Sequence, residues 1–258
     1  MALTTKDFST GYQENEVVKS ISLSLKRSEW LGIIGANGSG KSTFLKGISR
    51  ILDVYSGSAY LDGKNIHRSS TKEIAKKISV LPQHQKSNIS LTVYELVCLG
   101  RSPHKKWWEL DFDENDHSKV ERSISLTDMT AFKDKYVETL SGGQRQRAFL
   151  SLALAQDAKT LLLDEPTTFL DLRYQLQFLD LLKKINQEEE ISIVTVIHDL
   201  NLAARYCDRI AVLKDGELLA IDKPREVLTE DLMKQAFQVE TCQIETPIGL
   251  QICTIKSE

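Results

Sequence analysis

Trp30-Leu-Gly-Ile-Ile34 is an unbroken apolar run that leads straight into a glycine-rich stretch, and a helical pattern starts behind it at Ser42. Five apolar residues without polar alternation read as a strand buried on both faces. Beyond the glycines, Phe44, Leu45, Ile48 and Leu52 fall at helical spacing and predict a helix over 42–52. Further continuous apolar or β-branched runs at Thr160 to Leu163, Ile191 to Ile197 and Ile210 to Leu213 predict strands of the same buried, parallel kind. Alternating segments punctuated by Asp62-Gly63 and Asp215-Gly216 predict two hairpins, one in the first third and one near the end.

From about Asn88 to Gln156 the pattern changes. Thr92-Val-Tyr-Glu95 is a capping box opening a helix over Val93 to Gly100, and helical periodicity returns at Val120 to Leu126 and Gln144 to Leu154. No strand pattern stands out there. The expectation is a single α/β domain over 1–258. Its core, with a mainly parallel sheet and an antiparallel β subdomain, takes about 1–87 and 157–258, and a helical subdomain is inserted at about 88–156.

Composition narrows the function classes. Hydrophobic residues make up 41% and charged residues 27%, ordinary for a globular domain. The net charge of −3 leaves no electrostatic footprint for nucleic acid. Cys98, Cys207, Cys242 and Cys253 show no CxxC spacing, so they read as reduced thiols rather than a zinc or disulfide framework. No stretch approaches the apolar length of a membrane span, and the first residues lack a signal core. A membrane role would therefore be peripheral, through a partner.

Three motifs carry chemistry. Gly35-Ala36-Asn37-Gly38-Ser39-Gly40-Lys41-Ser42 fits GxxxxGK[ST], and strand, loop and helix are the setting that pattern requires. Gly35, Gly38 and Gly40 let successive amides turn toward phosphate oxygens, and the helix opening at Ser42 and Thr43 adds its dipole. Lys41 is placed for the β/γ-phosphates and Ser42 for Mg²⁺. Asp164 and Glu165 follow Leu161-Leu-Leu at the carboxyl end of a strand, where open α/β sheets bind ligands. Asp164 suits a Mg²⁺-holding carboxylate and Glu165 a general base toward water. Between the two lies Leu140-Ser141-Gly142-Gly143-Gln144, which opens a helix and forms a second anion-binding terminus.

Phosphate loop, LSGGQ and the Asp-Glu pair, in this order, resemble the nucleotide-binding subunit of ATP-binding cassette (ABC) transporters, whose signature sequence is LSGGQ. The likeness runs from Tyr12 to about Glu230 and implies a phosphate-loop NTPase core. It implies further roles. Tyr12 would stack on adenine. Gln83 would touch Mg²⁺ and water, and His198, 34 positions after Asp164, would contact the γ-phosphate. Ser141, Gly142, Gly143, Gln144 and Asp171 would act in trans, on the ATP of a second copy packed head to tail. Gly100-Arg-Ser-Pro, the ten residues from Ser141, Pro166-Thr-Thr-Phe-Leu-Asp and His198-Asp-Leu-Asn look like the iron-chelate importer group, which covers siderophore, ferric citrate, haem and cobalamin systems.

That resemblance implies an ATPase at the cytoplasmic face of the membrane, with integral permease subunits and, indirectly, an extracytoplasmic substrate-binding protein as partners. The 28 residues after Glu230 are too few for the regulatory domain of sugar-importer ATPases, so none is expected. Arg173-Tyr174 departs from relatives that carry histidine before the glutamine. A soluble cassette protein of DNA repair or translation is the rival. It fits poorly, because only 100 residues without heptads separate Lys41 from Ser141. Asp111 to Asp116 begins like a calcium loop but lacks glycine at the sixth position and glutamate at the twelfth, so it reads as a solvated turn and helix start. Glu188 to Glu190 reads as a solvated loop. Trp107-Trp108 is open between subdomain packing and a permease-facing surface.

Overall fold

The computed structural model describes residues 1–83, 90–106, 111–168, 170–247 and 249–257. They pack as two compact units, 1–69 with 192–258, and 70–191. Trp107 and Trp108 lie outside the described residues.

The first unit is built from strands. Leu3–Tyr12 is the centre of an antiparallel sheet, paired with Asn15–Ile21 on one side and Val54–Leu61 on the other. Leu61 passes through Asp62-Gly63 to Lys64–Asn65, which is the first predicted hairpin. In the second sheet, Trp30–Ile34 runs parallel to Ser192–Val196 and to Arg209–Lys214. Every residue of Trp30–Ile34 and Ser192–Val196 is buried, which explains their continuous apolar runs. Arg209–Lys214 turns at Asp215-Gly216 into antiparallel Glu217–Asp222, the second predicted hairpin. A further, unforeseen hairpin pairs Val239–Thr246 with Gly249–Ser257.

The helix behind the glycines is shorter than predicted, Lys41–Ile48 rather than 42–52. Arg50 takes a left-handed conformation (φ 64°), its guanidinium donates to the Ser69 carbonyl, and Ile51 is left 63% exposed. A β-branched side chain in solvent contributes nothing that would extend the helix.

In the second unit Ile78–Leu81 and Thr160–Asp164 pair in parallel, while the rest is largely helical. Val93–Cys98 opens on the predicted Thr92/Glu95 capping box. It packs with Glu114–Leu126 and Gly142–Ala155 around Val97, Val120, Ile124 and Ala148, all fully buried. Glu188 to Glu190 is only partly loop. The helix Leu172–Glu188 takes the first of them, and Glu189 accepts from Arg122 at 2.7 Å.

The Asp111 to Asp116 segment does start a helix, with Asp113 as its cap, but Asp116 is not solvated. It is 3% exposed and accepts from Arg101 Nε at 2.9 Å, with the Lys105 ammonium on its other oxygen. Arg101 also donates to the Ala155 carbonyl at 2.7 Å, tying three segments together. Burial alone would raise the Asp116 pKa. The hydrogen bonds from Lys105 and Arg101 outweigh it and hold the carboxyl at about 2. Its folded value lies below the ordinary 3.8, so the stabilisation is complete above that pH and is lost as pH falls through about 2. Asp116→Asn leaves the Arg101 charge buried without its counter-ion. It should lower unfolding free energy by about 3 kcal/mol at pH 7 in a urea titration, with the gap to wild type narrowing as pH drops below 4.

Candidate functional site

The residues singled out from sequence fall into two groups, one in each unit. In the first unit, the loop from Gly35 to Gly40 leaves the carboxyl end of Trp30–Ile34 and enters the helix Lys41–Ile48. Gly35 is held against the neighbouring strand: a Cβ there would sit 2.2 Å from the Leu213 carbonyl oxygen and 2.5 Å from Ser39 Oγ. Gly40 caps the helix in a left-handed conformation, φ 94°, that an L side chain rarely adopts. Lys41 is 5% exposed, and its Nζ donates to the Gly35 and Ala36 carbonyls at 2.9 Å each, so the ammonium sits within the curl of the loop.

The loop fits an anion. Ala36, Asn37 and Gly38 are exposed, and a Cβ on Gly38 would meet nothing within 4 Å. Ser39 Oγ is buried with no hydrogen-bond partner among the described residues, a donor that a phosphate oxygen would satisfy. Ser42 is half-buried and Thr43 buried on the first turn.

His198 follows Ser192–Val196, the strand hydrogen-bonded to Trp30–Ile34, so both chains leave the sheet at the same carboxyl edge. Asp199 accepts from the Asn201 and Leu202 amides at 2.8 and 2.9 Å and caps the helix Leu200–Tyr206, which fixes the turn carrying the exposed imidazole. Tyr12, at the end of its strand, is 43% exposed. Lys46 Nζ lies 3.2 Å from its hydroxyl and 5.8 Å from its ring centroid. Lys46 was missed in the sequence, since nothing at a separation of 34 residues marks the pair.

In the second unit, Asp164 ends Thr160–Asp164 and is 8% exposed. Glu165 follows in a left-handed conformation, φ 50°, strained for a non-glycine residue and of a kind that clusters at active sites. Gln83 follows the parallel neighbour Ile78–Leu81, and its Nε2 donates to Glu165 Oε2 at 2.5 Å. Thr168 Oγ1 donates to the same oxygen at 3.2 Å, another contact the sequence did not announce.

Ser141 caps the helix Gly142–Ala155 through a reciprocal box, accepting from the Gln144 amide at 3.4 Å while Gln144 Oε1 accepts from the Ser141 amide at 3.1 Å. Gly142 faces open space, whereas a Cβ on Gly143 would meet the Tyr174 ring at 3.1 Å. Tyr174, the position that departs from the family pattern, thus backs the signature turn. Asp171 is exposed and caps Leu172–Glu188 by accepting from the Tyr174 amide at 3.0 Å.

A glycine loop entering a helix from a buried parallel strand, with an acidic pair at the carboxyl end of another, defines a nucleotide-binding α/β protein of the phosphate-loop class. Comparison with known proteins sets the family. Residues 18–168 match the family described as ABC transporter. The chain is 41% identical to the petrobactin import ATP-binding protein of Bacillus anthracis, over 98% of this chain and 92% of that one. It is 42% identical to the iron(3+)-hydroxamate import ATP-binding protein of Bacillus subtilis strain 168, over 95% and 91%. A dimeric ATP-binding cassette solved in a post-hydrolysis state with ADP and phosphate superposes with a TM-score of 0.73 at 31% identity, over 86% of this chain and 99% of that one. The chain belongs to the ABC transporter family, as an ATP-binding, ATP-hydrolysing cassette.

Gly35 tests the loop. Gly35→Ala should push the loop off the Leu213 carbonyl and weaken ATP binding on the order of 100-fold, a few kcal/mol of strain, with the circular dichroism spectrum unchanged. Equilibrium titration with a fluorescent ATP analogue reads the loss.

Proposed function

We propose that the chain powers import of an iron(III)-siderophore or related iron chelate, hydrolysing ATP at the cytoplasmic face of the membrane beside integral permease subunits. The observation that supports the cargo is identity of 41% and 42%, across more than nine-tenths of both chains, to import subunits named for petrobactin and iron(3+)-hydroxamate. Among the described residues no helix is long and apolar enough to cross a membrane, so the membrane path is assigned to the permease. A substrate-binding protein outside the membrane would meet the chelate first.

In the proposed site, Gly35 to Thr43 wrap the phosphates and Lys41 neutralises the β/γ oxygens, moving from the Gly35 and Ala36 carbonyls to do so. Tyr12 stacks on adenine. Ser42, Gln83 and Asp164 offer hard oxygen donors that suit Mg²⁺, which would neutralise charge on the phosphates. Glu165 takes the proton from the attacking water. Gln83, hydrogen-bonded to Glu165, is placed to report the state of that base, and His198 would contact the γ-phosphate.

Ser141, Gly142, Gly143 and Gln144, with Asp171, are assigned to the nucleotide of a second copy. The support is chemical: the glycine loop already supplies amides, an ammonium and a hydroxyl for one triphosphate, and the signature helix presents a second, exposed N-terminus. In this reading residues 88–156 act as the helical signature subdomain of one cassette domain.

Three outcomes are expected. Glu165→Gln should keep ATP affinity, cut steady-state turnover by about 10²–10⁴-fold and accumulate an ATP-bound dimer on size exclusion. Unchanged phosphate release would remove Glu165 as the base. Specific ATPase activity should rise with protein concentration and be abolished by Gly143→Asp, because each site needs the partner's signature turn. A deletion strain should lose growth on ferric siderophore as sole iron source while the chain co-purifies with a polytopic permease; retained growth would overturn the cargo.

A further inference from the structure

The C-terminal hairpin, which no proposed nucleotide role involves, places Cys242 directly opposite Cys253 in its register. Directly opposed residues of an antiparallel pair share a face. The backbone settles which kind of pair this is. Ile252 donates its amide to Asn201 Oδ1 at 2.6 Å and accepts at its carbonyl from Asn201 Nδ2 at 3.3 Å, so both groups point away from the partner strand. In an extended chain the next residue points its groups the other way, so Cys253 belongs to a hydrogen-bonded pair. Such pairs hold their Cα atoms about 5.5 Å apart, inside the range a disulfide spans.

Both thiols are accessible. Cys253 is exposed and Cys242 half-buried, while Cys98 and Cys207 are buried, and all four are unbridged. Asn201 adds a consequence. Its side chain occupies the outer edge of Gly249–Ser257 as a further strand would, from the first turn of the helix that begins directly after His198-Asp199. Whatever stiffens the hairpin therefore bears on the turn carrying His198.

We infer that Cys242 and Cys253 are a reversible dithiol–disulfide site that clamps the hairpin onto Asn201. The oxidant is a small-molecule disulfide. The Cys253 thiolate attacks one sulfur of the oxidant and expels a thiolate, giving a mixed disulfide. The Cys242 thiolate then attacks the Cys253 sulfur, closing the Cys242–Cys253 bond and expelling the second thiolate. Two protein thiols are oxidised, one disulfide is reduced to two thiols, and the two protons pass to solvent or the departing thiolates. At a hydrogen-bonded pair the Cβ atoms start about 5.5 Å apart and must draw in by about 1–2 Å, so the bond is strained and readily reduced. That suits reversal by reduced thiols in a reducing compartment.

The test uses the full chain, reduced and then exposed to oxidised glutathione. The thiol titre after unfolding should fall from four to two. Cleavage after Glu245 should yield two peptides, one with Cys242 and one with Cys253, joined until dithiothreitol is added. Hydrogen exchange at the Ile252 amide should slow about tenfold in the oxidised protein, and Cys253→Ser should show neither change. A titre that stays at four, a cross-link between chains or through Cys98 or Cys207, stable glutathione adducts without the Cys242–Cys253 bond, or unchanged exchange at Ile252 would each overturn the proposal.

Discussion

The contact between Gly35 and the Leu213 carbonyl is the constraint on which the nucleotide-binding half of the molecule depends. Trp30–Ile34 is buried on both faces and hydrogen-bonded on both edges, so its direction and end point are not adjustable. The chain must leave the sheet beside Leu213 with no room for a Cβ, and it must then enter a helix at once. The resulting curl turns the Gly35 and Ala36 carbonyls onto the Lys41 ammonium. His198 is placed by the same geometry, because its strand is the hydrogen-bonded neighbour on the other edge. Burial of three parallel strands thus aligns groups more than 150 residues apart at one edge of the unit.

Much of this was legible because the relevant constraints are local. Continuous apolar runs mark strands buried on both faces, Asp-Gly marks the hairpin turns, and Thr92 with Glu95 marks a helix start. Each signal reads the backbone within a few residues. The Asp164-Glu165 pair was legible for the same reason, as acidic residues closing an apolar strand. Its left-handed Glu165 and the Gln83 amide on that carboxylate were not, since strain and a partner 82 residues away leave no local trace.

What escaped the sequence depends on pairings at a distance. Asp116 sat in a run of acidic residues that looks solvated. Arg101 and Lys105, more than ten positions upstream, make it the one acidic residue of that run that is buried. The hairpin Val239–Ser257 was missed because Ile244 and Ile255 are exposed and the alternation of a half-buried strand is broken. Asn201 was read as one letter of a family motif. In the structure its side chain satisfies the backbone at Ile252 and ties the hairpin to the turn after His198.

The signature turn shows how local capping and proposed action in trans can coexist. Ser141 and Gln144 spend their side chains on each other's amides, which holds the first turn of Gly142–Ala155 in shape without any ligand. Asp171 likewise caps its own helix, and Tyr174, in the first turn of that helix, backs Gly143. The protein atoms on the Gly143 side are therefore already packed, while Gly142 is bare. Gly142 is itself exposed and faces open space, so that side of the terminus is open to an anion. A turn preorganised by its own caps loses little further freedom when a phosphate arrives, so in the proposed dimer the binding energy it supplies would go to holding the two copies together.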